Sequence, residues 1–104
     1  MTEREKLPNR RAAESFNFEV GGFHYIATVG RFDDGRIAEV FLGNGKCGST
    51  TDVAARDSAV VASLALQFGV PLESLRRALL RDGAGRPGGP LGALLDILAA
   101  EQPA

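Results

Sequence analysis

The sequence predicts an α+β domain, a three-stranded antiparallel meander followed by three helices packed on the sheet. Three observations predict it. Alternating apolar residues fill the first half of the chain. Short turn signals interrupt them, and leucines at helical spacing fill the second half. Segregated strands and helices are the pattern of an α+β fold, with helices on one sheet face.

The elements follow in order. Residues 1–15 are polar, carry Lys6, Arg10 and Arg11 around Pro8, and read as a flexible tail ahead of a single domain over residues 16–104. Phe16, Phe18 and Val20 alternate with Asn17 and Glu19, the period of a half-buried strand. Gly21-Gly22 suits a two-residue hairpin turn. Phe23 to Val29, rich in β-branched and aromatic residues, is the second strand. Asp33-Asp34-Gly35 marks the next turn, and Ile37 to Leu42 is the third strand. Connections this short make the strands antiparallel neighbours.

The second half is helical. Ser49, Thr50, Thr51 and Asp52 offer caps for a helix over residues 52–68, with Gly69 as its stop. Pro71 opens a second helix that runs to about Leu80. After a glycine-rich loop, Pro90 or Leu91 starts a third, with Leu91, Leu94, Leu95 and Leu98 on one face. On the wheel of the first helix, Val53, Ala54, Val60, Val61, Leu64, Ala65 and Phe68 share one side with Asp57 near its middle. Ala55, Ala59, Ala62 and Leu66 share the other. A helix apolar nearly all round is covered on more than one side. The expectation is that the alanine face meets another helix or a second subunit, and the opposite face meets the sheet. Asp57 would then need a partner, with Arg31, Arg36 and Lys46 in reach. A structural ion pair is the preferred reading, with a ligand-contacting acid, or a rotated wheel that leaves Asp57 exposed, as the alternatives.

Composition narrows the function classes. With 12 basic and 13 acidic side chains, the net charge is -1, which disfavours a binder that works by neutralising phosphates. A single cysteine, Cys47, and a single histidine, His24, build neither a disulfide nor a metal site, so no metal or cofactor is expected. Cys47 reads as an incidental small residue. The longest apolar stretch, Ala59 to Leu66, is interrupted by Ser63 and is far short of the ~20 residues that span a bilayer. With a polar start to the chain, the reading is a cytoplasmic protein without membrane contact.

The best candidate for chemistry is the loop Gly43-Asn44-Gly45-Lys46-Cys47-Gly48 with Ser49, Thr50 and Thr51 after it. Backbone N–H groups at a helix N-terminus attract anions. Asn44, Gly45, Lys46, Gly48, Ser49 and Thr50 are therefore the ligand-binding candidates, although the loop lacks the spacing of a P-loop. Glu39, inside the third strand, is expected to pair with Lys46 or Arg36. Glu39, Asp57 and Arg36 are the candidates for structural ion pairs.

Three spaced pieces resemble the TSCPD domain of cobalamin-dependent ribonucleotide reductases. They are Asp34-Gly35-Arg36-Ile37-Ala38-Glu39-Val40-Phe41-Leu42, then Gly45-Lys46-Cys47-Gly48-Ser49, then Val61-Ala62-Ser63-Leu64-Ala65-Leu66-Gln67-Phe68-Gly69-Val70. The resemblance covers about residues 23–80, and the chain also looks like small stand-alone bacterial proteins labelled ribonucleotide-reductase-like. It implies an accessory domain, since in the large reductases the radical chemistry belongs to a separate barrel. The motif that names the family is missing: the corresponding stretch from Arg81 to Pro90 has no cysteine. Glu39 and the Gly45-Lys46-x-Gly48-Ser49 loop are the positions that match.

The leading functional expectation is a non-catalytic accessory or regulatory module. It would bind a protein partner, under the resemblance a ribonucleotide reductase, and would self-associate as a homo-oligomer through the apolar surfaces of the first helix and second strand. One alternative is a nucleotide or phosphate sensor using the loop over residues 43–51. The other is a nucleic-acid-binding module using Arg76, Arg77, Arg81 and Arg86 with Arg10 and Arg11, which the charge balance disfavours.

Overall fold

A computed structural model describes residues 3–101. The elements are β1 (Ala13–Val20), β2 (Phe23–Arg31), β3 (Ile37–Gly43), α1 (Thr50–Gln67), α2 (Leu72–Ala78) and α3 (Pro90–Glu101). The strands form one antiparallel sheet in the order β1-β2-β3, and the three helices follow it, so the fold is α+β. Gly21 and Gly22, with φ of 58° and 82°, join Val20 to its cross-strand partner Phe23. Positive φ at both central residues is what the twist-matched hairpin turn demands. β1 starts at Ala13 rather than Phe16, because β2 is long enough to pair it with Gly30. Residues ahead of it also touch the body: the Glu5 N–H donates to the Gln67 carbonyl at 2.7 Å.

One sheet face carries the core. Tyr25, Ala27, Val29, Val40 and Leu42 point into it, with half-buried Phe16, Phe18 and Val20 at the β1 side. α1 lies along β3 and α3 reaches β1, bringing Leu94, Leu95 and Leu98 into the same cluster. α2 leans on α3 and contributes half-buried Leu72, Leu75 and Leu79. A Schellman turn stops α1: the Val70 N–H donates to the Ala65 carbonyl and Gly69 to Leu66.

The orientation of α1 reverses the expectation drawn from its wheel. Ala55, Ala59, Ala62 and Leu66 face the sheet, while Val53, Val60, Val61 and Leu64 are exposed. Asp57, in the middle of the exposed side, is exposed too and forms no ion pair among the described residues. The physical reason is distance. Alanine methyls let the helix backbone settle close to β3, and from there two polar side chains reach that strand. Ser63 Oγ accepts from the Val40 N–H at 2.9 Å and donates to the Val40 carbonyl at 3.0 Å. Gln67 Nε2 donates to the Ala38 carbonyl at 3.0 Å. A valine face would hold the helix further out and leave these backbone groups unmet.

The acidic side chains also find partners other than those expected. Glu39 pairs with Arg11, not with Lys46 or Arg36. Its side chain crosses Gly30, where a Cβ would stand 2.5 Å from the Glu39 carboxylate, so only glycine leaves that path open. Arg36 bonds Asp34 at 2.7 Å and Glu5 at 2.9 Å, with its guanidinium 4.6 Å from the centre of the Phe32 ring. At the other end of the molecule, Asp96 of α3 accepts both Arg81 terminal nitrogens, at 2.6 and 2.9 Å, and Arg76 Nε at 2.8 Å. The Arg81 guanidinium first, and Arg76 second, hold the Asp96 carboxyl well below the usual carboxylate range.

Two outcomes are expected. Ser63→Ala removes both bonds to Val40 and costs about 1–3 kcal/mol of stability, read as a lower urea midpoint with an unchanged m-value. For Asp96 the depressed folded-state pKa places its contribution above the unfolded value of about 4, and it is lost as pH falls through and below that value. Asp96→Asn is therefore less stable than the parent at pH 7, and urea titrations at successively lower pH will show the gap closing.

Candidate functional site

The loop between β3 and α1 is shaped by an acid that lies inside it. Ser49 is the N-cap of α1, its hydroxyl accepting the Asp52 N–H at 3.1 Å. Asp52, in the first helical turn, is the one fully buried carboxylate among the described residues. It accepts the Asn44 N–H at 2.9 Å and Arg56 Nε, one turn on, at 2.8 Å. The Asn44 amide first, and the Arg56 guanidinium second, keep this carboxyl below its ordinary pKa. Gly43 leaves the room: a Cβ there would stand 3.3 Å from Arg56 Nη2 and 3.4 Å from Asp52 Oδ1. An internal carboxylate thus sits in the first turn of the helix and ties the loop at Asn44 to it.

The predicted ligand residues divide accordingly. Asn44 is engaged twice, through its N–H to Asp52 and through its side chain, which accepts the Lys46 N–H at 3.0 Å. Ser49 is engaged as the cap. Gly45 and Gly48 supply positive φ, 79° and 81°, for the loop path. Lys46 and Thr50 are exposed, and Lys46 has no acidic partner among the described residues. Cys47 is exposed beside the Arg56 guanidinium. The sequence reading missed Asp52 as the organising residue. Its signal was present as an acid in the first helical turn, Asp52, with an arginine four residues on, Arg56, directly after a glycine-rich loop.

The basic cluster over residues 76–86 is neutralised where it stands. Arg76 and Arg81 share Asp96, Arg77 pairs with Glu73 at 3.3 Å, and Arg86 with Asp82 at 2.9 Å. An apolar surface also remains uncovered. Val60 and Val61 on α1 are 56% and 67% exposed, and Ile26 and Phe41 stand on the open face of the sheet. A concavity of about 490 Å³ lies between α1, Tyr25 and the segment leading into α3. Its wall is Tyr25, Ala54, Ala55, Ser58, Leu79 and Leu91 with small residues between them, and no charged side chain lines it. A hollow of that size and lining accepts apolar groups and offers nothing to hold a phosphate.

A related sequence occurs inside much larger proteins. A vitamin B12-dependent ribonucleotide reductase of Agrobacterium fabrum is 45% identical over 71 residues, 68% of this chain and 6% of the reductase. Proteins of the same name from Bradyrhizobium diazoefficiens and Rhodopirellula baltica are 40% and 37% identical over 73 and 70 residues. This chain is related to a short segment of vitamin B12-dependent ribonucleotide reductases. It spans 6% of the length of the first two relatives and 7% of the third. No family model matches the chain, and no solved structure matches it. No helix among the described residues is long and apolar enough to cross a membrane.

Substituting the loop residues separates scaffold from surface. Asp52→Ala leaves the Asn44 N–H and the Arg56 guanidinium without their shared acceptor and lowers the melting temperature by several degrees. Lys46→Ala leaves it unchanged. Differential scanning calorimetry of the two variants checks both.

Proposed function

We propose that the chain is a non-catalytic, TSCPD-like accessory or regulatory module over residues 16–104, which works in the cytoplasm, self-associates, and binds a ribonucleotide reductase. One observation carries the reading: a segment related to this chain makes up only 6 to 7% of the three reductases named above. A piece so small beside the rest of the enzyme is suited to docking rather than to the reaction. The surface chemistry supports the same reading. The exposed stripe Val53, Val60, Val61 and Leu64 is contiguous along α1, and its water-facing area is the kind a protein contact covers. Asp57 in its middle supplies a single charge for orienting a partner.

The sensor reading rests on exposed Lys46 beside a helix N-terminus. Against it stands Asp52, whose carboxylate already engages the Asn44 N–H and Arg56. The nucleic-acid reading loses its basic cluster to Glu73, Asp82 and Asp96.

Titration calorimetry against a purified vitamin B12-dependent ribonucleotide reductase tests the proposal. Saturable binding is expected, weakened at least about tenfold by Val60→Asp with Val61→Asp, while the melting temperature of the isolated domain holds. Absence of binding at high micromolar concentration counts against the reductase partner. A thermal-shift response to ribonucleotides or phosphate that Lys46→Ala abolishes would replace it with the sensor.

A further inference from the structure

The two edges of the sheet are not equivalent. The N–H and C=O of Val40 and the C=O of Ala38, which face away from β2, are taken by Ser63 and Gln67. The outer edge of β3 is therefore closed by α1. Alternation along the ladder then fixes which backbone groups point outward at the other edge. Val40 lies opposite Val29 and bonds away from it, so Val29 must bond toward β1, to its partner Glu14. In β1 the even residues from Glu14 to Val20 consequently bond β2, and Ala13, Ser15, Asn17 and Glu19 present their N–H and C=O groups outward. The hairpin agrees, since Val20 and Phe23 close a two-residue turn as a bonded pair. Among the described residues nothing accepts from or donates to those outward groups.

β1 also carries few of the features that keep an edge strand single, its charges being Glu14 and Glu19 alone. It has no lysine, arginine or proline, and its pairing with β2 runs from Ala13 to Val20 without a bulge. It is the one strand with no buried residue. Phe16 and Phe18 stay half-buried at the rim of the core, with ring centroids 6.2 Å apart.

The geometry points to β1 as a strand-pairing surface whose partner is β1 of a second copy, antiparallel about a two-fold axis at Asn17. The inference rests on the self-association within the proposed function, names its contact, and is independent of the reductase. Strand parity selects the register. Outward residues must meet outward residues, so residue 17 faces 17, Ser15 faces the partner's Glu19, and Phe16 faces the partner's Phe18. In this arrangement the Ser15 hydroxyl can donate to the partner's Glu19, the half-exposed phenylalanines cover one another, and no like charges stand opposed. Shifting the axis to Phe18 shortens the pairing to residues 16–20, and shifting it to Phe16 loses the Phe16–Phe18 contacts and moves Glu14 from the strand end, opposite Val20, to a place opposite the partner's Phe18.

An edge of this length buries less than a standard interface, so the dimer is expected to be weak and transient. Sedimentation velocity of the free chain from about 1 to 500 µM should show a monomer passing to a dimer and nothing larger. Asn17→Pro removes only an outward N–H and leaves the bonds to β2 in place, and edge strands tolerate proline at such a position. This variant should sediment as a monomer throughout, with an unchanged circular dichroism spectrum. Asn17→Lys, which brings two lysines together at the axis, should do the same and serves if the proline variant fails to fold. A wild-type protein that stays monomeric at the highest concentration overturns the inference. So does a folded Asn17→Pro or Asn17→Lys protein that dimerises as the wild type does. Binding to the reductase, or its failure, does not alter either result.

Discussion

The close seating of α1 on β3 is the contact on which the remaining structure depends. Ala55, Ala59 and Ala62 bring little apolar area of their own. Their value lies in the short distance they permit. At that distance Ser63 and Gln67 act as backbone for a strand that has no outer neighbour. The sheet is thereby anchored to the helix by polar bonds as well as by the core, and its register relative to α1 is set by the positions of Val40 and Ala38. The same geometry turns the larger side chains outward, so the apolar exterior of α1 follows from the interior requirement. The exposed valines are the far side of a helix whose near side had to be small.

Charge is used in the same economical way. Asp52 closes the β3–α1 loop from within, Asp96 ties α3 to both Arg76 and Arg81, and Glu39 crosses Gly30 to reach Arg11. Each carboxylate joins segments that are apart in the chain or fixes a turn against its helix. Beside these pairings an apolar stripe on α1 and apolar side chains on the open sheet face stay exposed. That balance fits a molecule that works by contact with other protein more readily than one that gathers phosphates.

Much of the fold was legible because its signals are local. The Gly21-Gly22 hairpin, the Asp34-Gly35 turn, the alternation from Phe16 to Val20, and the stop at Gly69 each depend on neighbours in sequence. The orientation of α1 was not legible, because a wheel shows that two faces are apolar and does not say which one must come close. Hydrophobicity favoured the valine side, and the polar demands of the β3 edge favoured the alanines. Asp57 was misplaced for that reason alone. The loop over residues 43–51 was located correctly as a glycine-rich lead into a helix, but its content was hidden. Asp52 reads equally well as a cap, as first-turn decoration or as a buried acid, and only the path of Gly43 and Asn44 around it decides. Glu39 and Arg11 pair across the sheet through a gap left by Gly30, a relation that no spacing in the sequence announces.

Sealing β3 with Ser63 and Gln67 also limits the valence of the sheet. A three-stranded sheet with two open edges can add copies at both ends, and repeated addition makes a fibre. With one edge closed by its own helix, each molecule has a single place at which another strand can join. Two such molecules exhaust each other's capacity, and the assembly is closed by its two-fold symmetry. A hydroxyl and an amide on α1 thus set an upper bound on how far this protein can polymerise through its backbone.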